Sequence, residues 1–430
     1  MSDLAWIDAA LTAARPQAIG ALLRYFRDLD LAEEAFQDAC LRALRNWPDK
    51  GPPRDAAAWL IMVGRNAAID QVRRRGRHQA LPDEEQLSDL EDVEAPLAER
   101  LDGAHYRDDV LRLLFICCHP DLPATQQIAL ALRIVCGLTV PQIARAFVVG
   151  EAAMEQRITR AKARIAGAGV PFEAPGPIER AERLAAVAAM IYLVFNEGYS
   201  AGAGDERAAL ALEAIRLARL LLRLFPAEPE IMGLLALMLL QQSRAGARFD
   251  AAGEIVLLED QDRAAWNQRM IGEGLALIDK AIRHRRRGPY QVKAAVAALH
   301  ARARAPGETD WRQIDDLYAA LEVLEPSPIV TLNRAVAVSK TRGAEAALAM
   351  IEPLEARLGG YFYFFGSKGA LLTQLGRAAE AREAFGRAIA LAQTPAQAAH
   401  IRQHLDQLAK DAAATETSRP PAGPARPHAS

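Results

Sequence analysis

The chain is expected to be all-α, and three observations lead there. Helix-forming residues dominate its 430 positions, and the alternating apolar–polar pattern of strands is almost absent. Apolar residues recur at helical spacing, as Ile19, Leu22, Leu23 and Phe26 do at i, i+3, i+4 and i+7. Capping residues, Pro and Gly fall where those stripes begin and end. The length allows two or three domains. A net charge of −2 argues against a protein that binds polyanions over its whole surface, but leaves room for local basic patches. Four cysteines, Cys40, Cys117, Cys118 and Cys136, do not form a disulfide framework and suit a reducing compartment. No secretion-signal pattern opens the chain, and its longest apolar run, Leu184–Phe195, is too short to span a bilayer. A cytoplasmic location is expected.

Taken in order, Pro16 suits a first helical turn, and the helix it opens ends near Leu29. Asp30 is expected to cap the next helix, whose buried face is Ala32, Ala35, Phe36, Ala39, Ala43 and Leu44. Trp47-Pro48 should stop it before the loop Asp49–Arg54. Asp55 caps a third helix, Ala56 to about Arg75, whose apolar side starts with Trp59, Leu60 and Val63. Its basic end, Arg73-Arg74-Arg75, complements the helix dipole and offers charge to phosphates; the plain alternative is a solvated helix terminus. Leu81–Asp109 holds eleven acidic residues and buries little, so a linker or loose helix is expected. Val110–Gly137 supplies two supporting helices. Adjacent cysteines at 117 and 118 point to different sides of a helix, and no second pair follows at metal-binding spacing. Buried structural thiols are therefore expected, and no metal or cofactor.

The stretch Val140–Ile165 reads as a helix-turn-helix. Ile143, Ala144 and Phe147 form the first stripe, Gly150 is expected to permit the turn, and Met154, Ile158, Ala161 and Ile165 form the second stripe. Arg157, Arg160, Lys162 and Arg164 then point largely away from the core, as a helix in a DNA major groove requires.

The segments DLDLAEEAFQDACLRALRNWP and AAWLIMVGRNAAIDQVRRRGR resemble region 2 of bacterial RNA polymerase sigma factors of the extracytoplasmic-function group. Val140–Ile165 resembles region 4 of the same family, in the family's order. The resemblance implies that Glu34, Gln37 and Asp38 face core polymerase. It implies that the loop and helix carrying Trp47, Lys50, Arg65, Asn66, Asp70, Arg73 and Arg74 engage the minus-ten promoter element. Glu155, Gln156, Arg157, Arg160, Lys162 and Arg164 would read the minus-thirty-five element, with Glu155 and Gln156 suited to cytosine and adenine edges. Many members carry Thr-Val-Lys-Ser where this chain has Ala153-Met154-Glu155-Gln156, which leaves the base assignments open. The acidic linker would thread the polymerase near the template path.

Beyond PFEAPGP, residues 171–177, the motifs YLVFNEGYSA, EAIRLARLLLRLFP, LLEDQDRAAWN and SPIVTLNRAVAV resemble the tetratricopeptide-like extension of one sigma-factor subgroup. A repeat is visible directly: Gly369, Gly376, Ala381, Phe385 and Ala388 follow one unit, and Gly343 lies 33 residues before Gly376. Trp311–Leu324 is a candidate degenerate repeat helix, and Phe249–Arg287 breaks the period. Such stacks present a groove for peptide or protein. Glu259–Arg263 reads as caps and ion pairs in preference to a metal site, and Asn196–Tyr199 as a helix ending at Gly198.

The expected layout is therefore sigma region 2 at 1–78, acidic linker at 79–109, region 4 at 110–170, a Pro/Gly linker at 171–182, a regulatory helical domain at 183–410 and a disordered tail at 411–430. The expected protein is not an enzyme. It is an alternative sigma factor whose partners are core RNA polymerase and promoter DNA, with a possible peptide in the repeat groove. Two other readings are a helix-turn-helix regulator that works without polymerase and a tetratricopeptide scaffold.

Overall fold

The computed structural model describes residues 5–76, 103–119, 121–147, 149–167, 177–201, 205, 207–392 and 394–417. Among these residues all regular elements are helices, and the one extended pairing is an isolated antiparallel bridge between Phe249 and Ile255. The chain divides into two units. One is Met1–Ala201 with Asp205–Pro226, and the other is Gly202–Gly204 with Ala227–Ser430.

The first unit opens with α1 (Ala5–Phe26), which runs straight through Pro16 and does not start there. A proline inside a helix removes one backbone hydrogen bond. Burial on both sides of it, by Ile7 and Ala14 before and Ala18, Ile19, Leu22 and Leu23 after, offsets that loss. Helix α2 (Leu29–Lys50) is capped by Asp28, whose carboxylate accepts from the Leu31 N–H at 3.0 Å, so Asp30 is a first-turn residue and not the cap. It continues past Trp47-Pro48 and ends at Gly51, whose φ of +83° is the left-handed backbone that favours glycine. The buried stripe is Ala32, Ala35, Phe36, Ala39, Ala43 and Trp47; Leu44 sits about 100° further round and is exposed. Helix α3 (Ala56–Gly76) is capped as expected by Asp55, which accepts from the N–H groups of Ala57 and Ala58.

Helix α4 (Gly103–Cys117) packs on α1. Residues 79–102 of the expected acidic linker lie outside the described residues, but 103–109 belong to α4, and Asp109 is buried between Arg24 and Arg112. Helices α5 (Ala124–Ile134), α6 (Val140–Ala146) and α7 (Glu151–Gly167) follow. Helices α8 (Pro177–Tyr199) and α9 (Ala208–Leu224) pair with each other, and α8 also packs on α4 and α5. The sequence places a boundary at 171–182, but α8 and α9 belong to the first unit because their apolar stripes, Val187, Ile191 and Val194 with Leu210, Ala214, Leu217 and Leu221, are buried there. Gly198 does not stop α8, which ends at Tyr199. Its role is close approach: a Cβ there would overlap the backbone nitrogen of Ala211 and lie 2.9 Å from the Arg207 carbonyl oxygen.

The second unit is a succession of packed helices: α10 (Pro229–Gln242), α11 (Gln268–Arg283), α12 (Pro289–Arg302), α13 (Trp311–Leu324), α14 (Pro328–Arg342), α15 (Ala344–Ile351), α16 (Glu355–Leu358), α17 (Phe362–Gln374), α18 (Ala378–Leu391) and α19 (Pro395–Thr417). The repeat read from the glycines has a physical basis in α17 and α18. A Cβ on Gly369 would lie 2.5 Å from the Phe385 ring, and Ala381, Phe385 and Ala388 are all buried. Gly343 and Gly376 have φ of +91° and +70°, at the turns before α15 and α18. Residues 243–267 are the irregular part, two short 3-10 turns and the isolated bridge, whereas 268–283 form α11. Glu259–Arg263 proves structural. Asp262 caps a 3-10 turn, Arg263 donates to the carbonyls of His300 and Ala303, and Glu259 pairs with Lys340 at 3.4 Å. Helix α19 reaches Thr417, several residues into the expected tail.

Candidate polymerase and promoter interface

The helix-turn-helix is built from α6 and α7 on a floor made by α5. Thr139 and Gln142 form a reciprocal capping box that starts α6. The Gln142 N–H donates to the Thr139 hydroxyl, and the Thr139 N–H donates to the Gln142 side chain at 2.8 Å. The Thr-x-x-Gln spacing is the sequence signature of such a box. The turn into α7 does not need a glycine: Gly150 is absent from the left-handed backbone region, and a Cβ there would meet nothing within 4 Å. Ile143 and Ala144 are buried, Phe147 half-buried, and Met154, Ile158, Ala161 and Ile165 seat α7 on its floor.

That seating leaves Glu155, Gln156, Arg160 and Arg164 exposed and Arg157 partly so. Arg160 donates to the Gln156 side chain at 3.1 Å, one turn apart, which lines up a guanidinium and an amide. Lys162 departs from the expected face. Its ammonium reaches across to α2 and donates to Asp30 at 2.6 Å and Glu33 at 2.7 Å. Burial works against its charge, but these hydrogen bonds outweigh it and raise its pKa.

On α2, Glu34 and Gln37 are exposed and Asp38 half-buried, on the side opposite Phe36 and Ala39. Lys50 is exposed at the end of the same helix. Trp47 is not available to DNA: it is 2% exposed, stacked on Trp6 at 6.2 Å and edge-on to Trp59 at 5.4 Å. Its large aromatic surface completes a buried cluster with Ile7 and Ala43. Arg65 and Asn66 are half-buried on α3, and the Arg65 guanidinium lies 5.5 Å from the Tyr25 ring centre. Asp70, Arg73 and Arg74 fall on α3, and their side chains lie outside the described residues.

Glu33, expected only to favour the start of α2, is the centre of a charged network. It is 4% exposed and faces Arg15 at 3.4 Å, Arg133 at 3.5 Å and Lys162 at 2.7 Å. Arg15, on α1, also donates to the carbonyls of Ile134 at 2.9 Å and Arg133 at 3.1 Å, and so satisfies the end of α5. Burial lowers its pKa, with Glu33 opposing that shift. Neither Arg15 nor Arg133 carries a sequence signal for this role, because their partners are more than 90 positions away or on another helix. The thiols of Cys117, Cys118 and Cys136 are buried, as expected. Burial pushes Cys118 and Cys136 up to about 12, Cys117 well above its ordinary value and half-buried Cys40 to about 11. Such thiols are poor nucleophiles and poor ligands. Among the described residues no group of His, Cys, Asp and Glu is placed to hold a metal ion, and no helix is long and apolar enough to cross a membrane.

An arginine-bearing recognition helix joined in one unit to a bundle with an acidic outer face defines a helix-turn-helix transcription factor of two-part build. Comparison with known proteins gives the particular kind. Residues 11–78 match sigma-70 region 2, residues 112–165 match sigma-70 region 4, and residues 183–282 match a family of unknown function, DUF6596. An uncharacterized protein of Rhizobium meliloti is 72% identical over 415 residues, 96% of this chain and 98% of its own. The ECF RNA polymerase sigma factor SigM of Mycobacterium tuberculosis is 31% identical over 135 residues, 31% of this chain and 62% of that protein. The chain belongs to the sigma-70 family, among the extracytoplasmic-function factors that carry a C-terminal helical extension.

Proposed function

We propose that the protein is an alternative sigma factor that recruits core RNA polymerase to a limited set of promoters and helps open them, working in the cytoplasm by binding and not by catalysis. The observation that carries this is the pairing of two faces in one chain. The exposed α2 face of Glu34, Gln37 and Asp38 supports docking on a basic surface of core polymerase. The α7 face of Glu155, Gln156, Arg157, Arg160 and Arg164 supports reading of a minus-thirty-five element, with the arginines on phosphates or guanine. Lys50, Arg65, Asn66, Asp70, Arg73 and Arg74 on α2 and α3 are assigned to the minus-ten element. Lys162 joins the DNA face only once it leaves Asp30 and Glu33.

Co-purification with core polymerase, followed by run-off transcription from the promoter upstream of the protein's own gene, tests this reading. Wild-type protein should associate and initiate. The triple substitution Glu34→Ala, Gln37→Ala, Asp38→Ala should lose association while keeping its circular dichroism spectrum. Failure of the folded wild type to associate would reject the function. The helical second unit is assigned a regulatory role, with a peptide or protein in its groove as the expected ligand. Ending the chain after Pro226 should change transcript yield or its response to growth conditions, and unchanged behaviour on both counts would remove that role.

A further inference from the structure

In the second unit, positive charge gathers where α11 gives way to α12. Lys280, Arg283, Arg285, Arg286 and Arg287 fall within eight residues of a chain whose net charge is −2, and all five are exposed. Arg286 pairs with Glu228 at 3.0 Å. Lys280, Arg283, Arg285 and Arg287 have no side-chain partner among the described residues. Nearby acids are already engaged: Glu230 accepts from the N–H groups of Tyr290 and Gln291 at 3.1 and 3.2 Å, and Asp279 faces Arg302 at 3.8 Å. The negative end of a helix dipole accounts for Lys280 and Arg283, in the last turn of α11. It does not account for Arg285 and Arg287, which stand before the positive end of α12. Arg285 is also held at φ +53°, a left-handed backbone that penalises a residue with a Cβ. At Gly51, Gly343 and Gly376 the chain meets the same requirement with glycine. The Gln291 side chain ties the turn down, donating to the Arg286 carbonyl at 2.8 Å and to Glu230 at 2.9 Å.

We propose that this turn is a duplex-DNA contact carried by the second unit, in which Lys280, Arg283, Arg285 and Arg287 hold backbone phosphates without reading sequence. Duplex DNA presents one negative charge per ~1.7 Å of its axis, so a short cluster of long cations meets several phosphates at once. The composition of the run favours this partner over others of the same charge. A protein interface draws on apolar anchors and a lipid surface on an amphipathic stripe, but within 280–287 the one exposed apolar side chain is Ile282, at 64%. Single-stranded nucleic acid stacks on aromatic rings, and the run holds no Phe, Tyr or Trp. The contact adds affinity that is independent of the bases read by α7. It rests on the sigma-factor reading only in that promoter DNA is then the duplex at hand.

The test uses full-length protein and a labelled duplex of arbitrary sequence, about 30 base pairs long, with affinity followed from about 50 to 200 mM salt. Replacing the cluster by Lys280→Gln, Arg283→Gln, Arg285→Gly and Arg287→Gln should leave the circular dichroism spectrum intact. It should make the slope of log affinity against log salt shallower by about three to four. Arg285→Gly alone should reduce the slope by about one and also raise the urea midpoint, because it relieves the left-handed backbone. A residue kept for the fold would not gain stability and lose DNA together. Slope and affinity unchanged in the fourfold variant overturn the contact, and an Arg285→Gly protein that is stabilised with an unaltered slope removes Arg285 from it. Polyglutamate or phosphatidylserine vesicles that bind through these four cations more tightly than the duplex overturn DNA as the partner. A wild type that forms no complex with core polymerase rejects the sigma-factor reading instead, and the duplex measurement, made without polymerase, still decides the contact.

Discussion

His300, near the end of α12, tests the electrostatics of the second unit. Its imidazole is largely buried, edge-on to Trp311 at 5.3 Å, and Arg263 and Arg244 both add positive charge nearby. Burial first, and then these two guanidiniums, push its pKa down to about 4 from an ordinary 6.5. The folded state therefore binds the proton less readily than the unfolded chain. Stability is fully present above pH 6.5, falls as pH drops through the window between 6.5 and 4, and changes no further from this group below it. A separation of about 2.5 units at ~1.36 kcal/mol per unit makes the full loss about 3 kcal/mol, with about 1 kcal/mol of it already gone at pH 5.5. The assay is urea unfolding followed by amide exchange at residues 292–299, at pH 7.0 and 5.5, for wild type and His300→Gln. Glutamine does not titrate, so the variant should lose about 1 kcal/mol less than wild type between those two values. Equal losses in the two proteins would show that the imidazole is accessible and ordinary, and that the packing around Arg263 has been misjudged.

Other outcomes are expected in the first unit. Gly198→Ala should destabilise by about 1–3 kcal/mol or more in a denaturant melt, because its Cβ meets the backbone of α9 and not a movable side chain, whereas Gly150→Ala should fall within about 0.5 kcal/mol. Trp47→Ala should cost about 3–5 kcal/mol of stability, while Lys50→Ala should leave stability within about 0.5 kcal/mol and weaken promoter opening in a run-off assay. Arg160→Ala should lower the slope of log affinity against log salt by about one if its guanidinium holds a phosphate; an unchanged slope with altered base preference would assign it to base reading.

What the sequence could and could not say divides along physical lines. The stripe Met154, Ile158, Ala161, Ile165 was legible because burial of one helix face imposes a 3.6-residue period. The Gly369–Phe385 packing was legible because close helix approach excludes a side chain at a fixed spacing. Trp47 is assigned to DNA by the resemblance alone, although it follows Ala43 by four positions on the buried stripe of α2, where the rings of Trp6 and Trp59 enclose it. Pro16 reads as a helix start because its cost is local, while the burial that offsets it comes from three other helices. The pairing of Lys162 with Glu33 joins positions 129 apart, and no periodicity reaches that far. A basic residue on a recognition helix looks the same in sequence whether it meets a phosphate or a carboxylate.

The placement of the indole rings has a practical side. Of the five tryptophans, Trp6, Trp47 and Trp59 cluster in the region 2 bundle, and Trp266 and Trp311 lie in the second unit. Helices α4 to α9 contain none. Intrinsic emission therefore reports the two flanking parts of the chain and is silent about the helix-turn-helix between them. A dye or a fluorinated aromatic placed on an exposed position of α7, such as Ala163, would supply the missing optical signal for that segment.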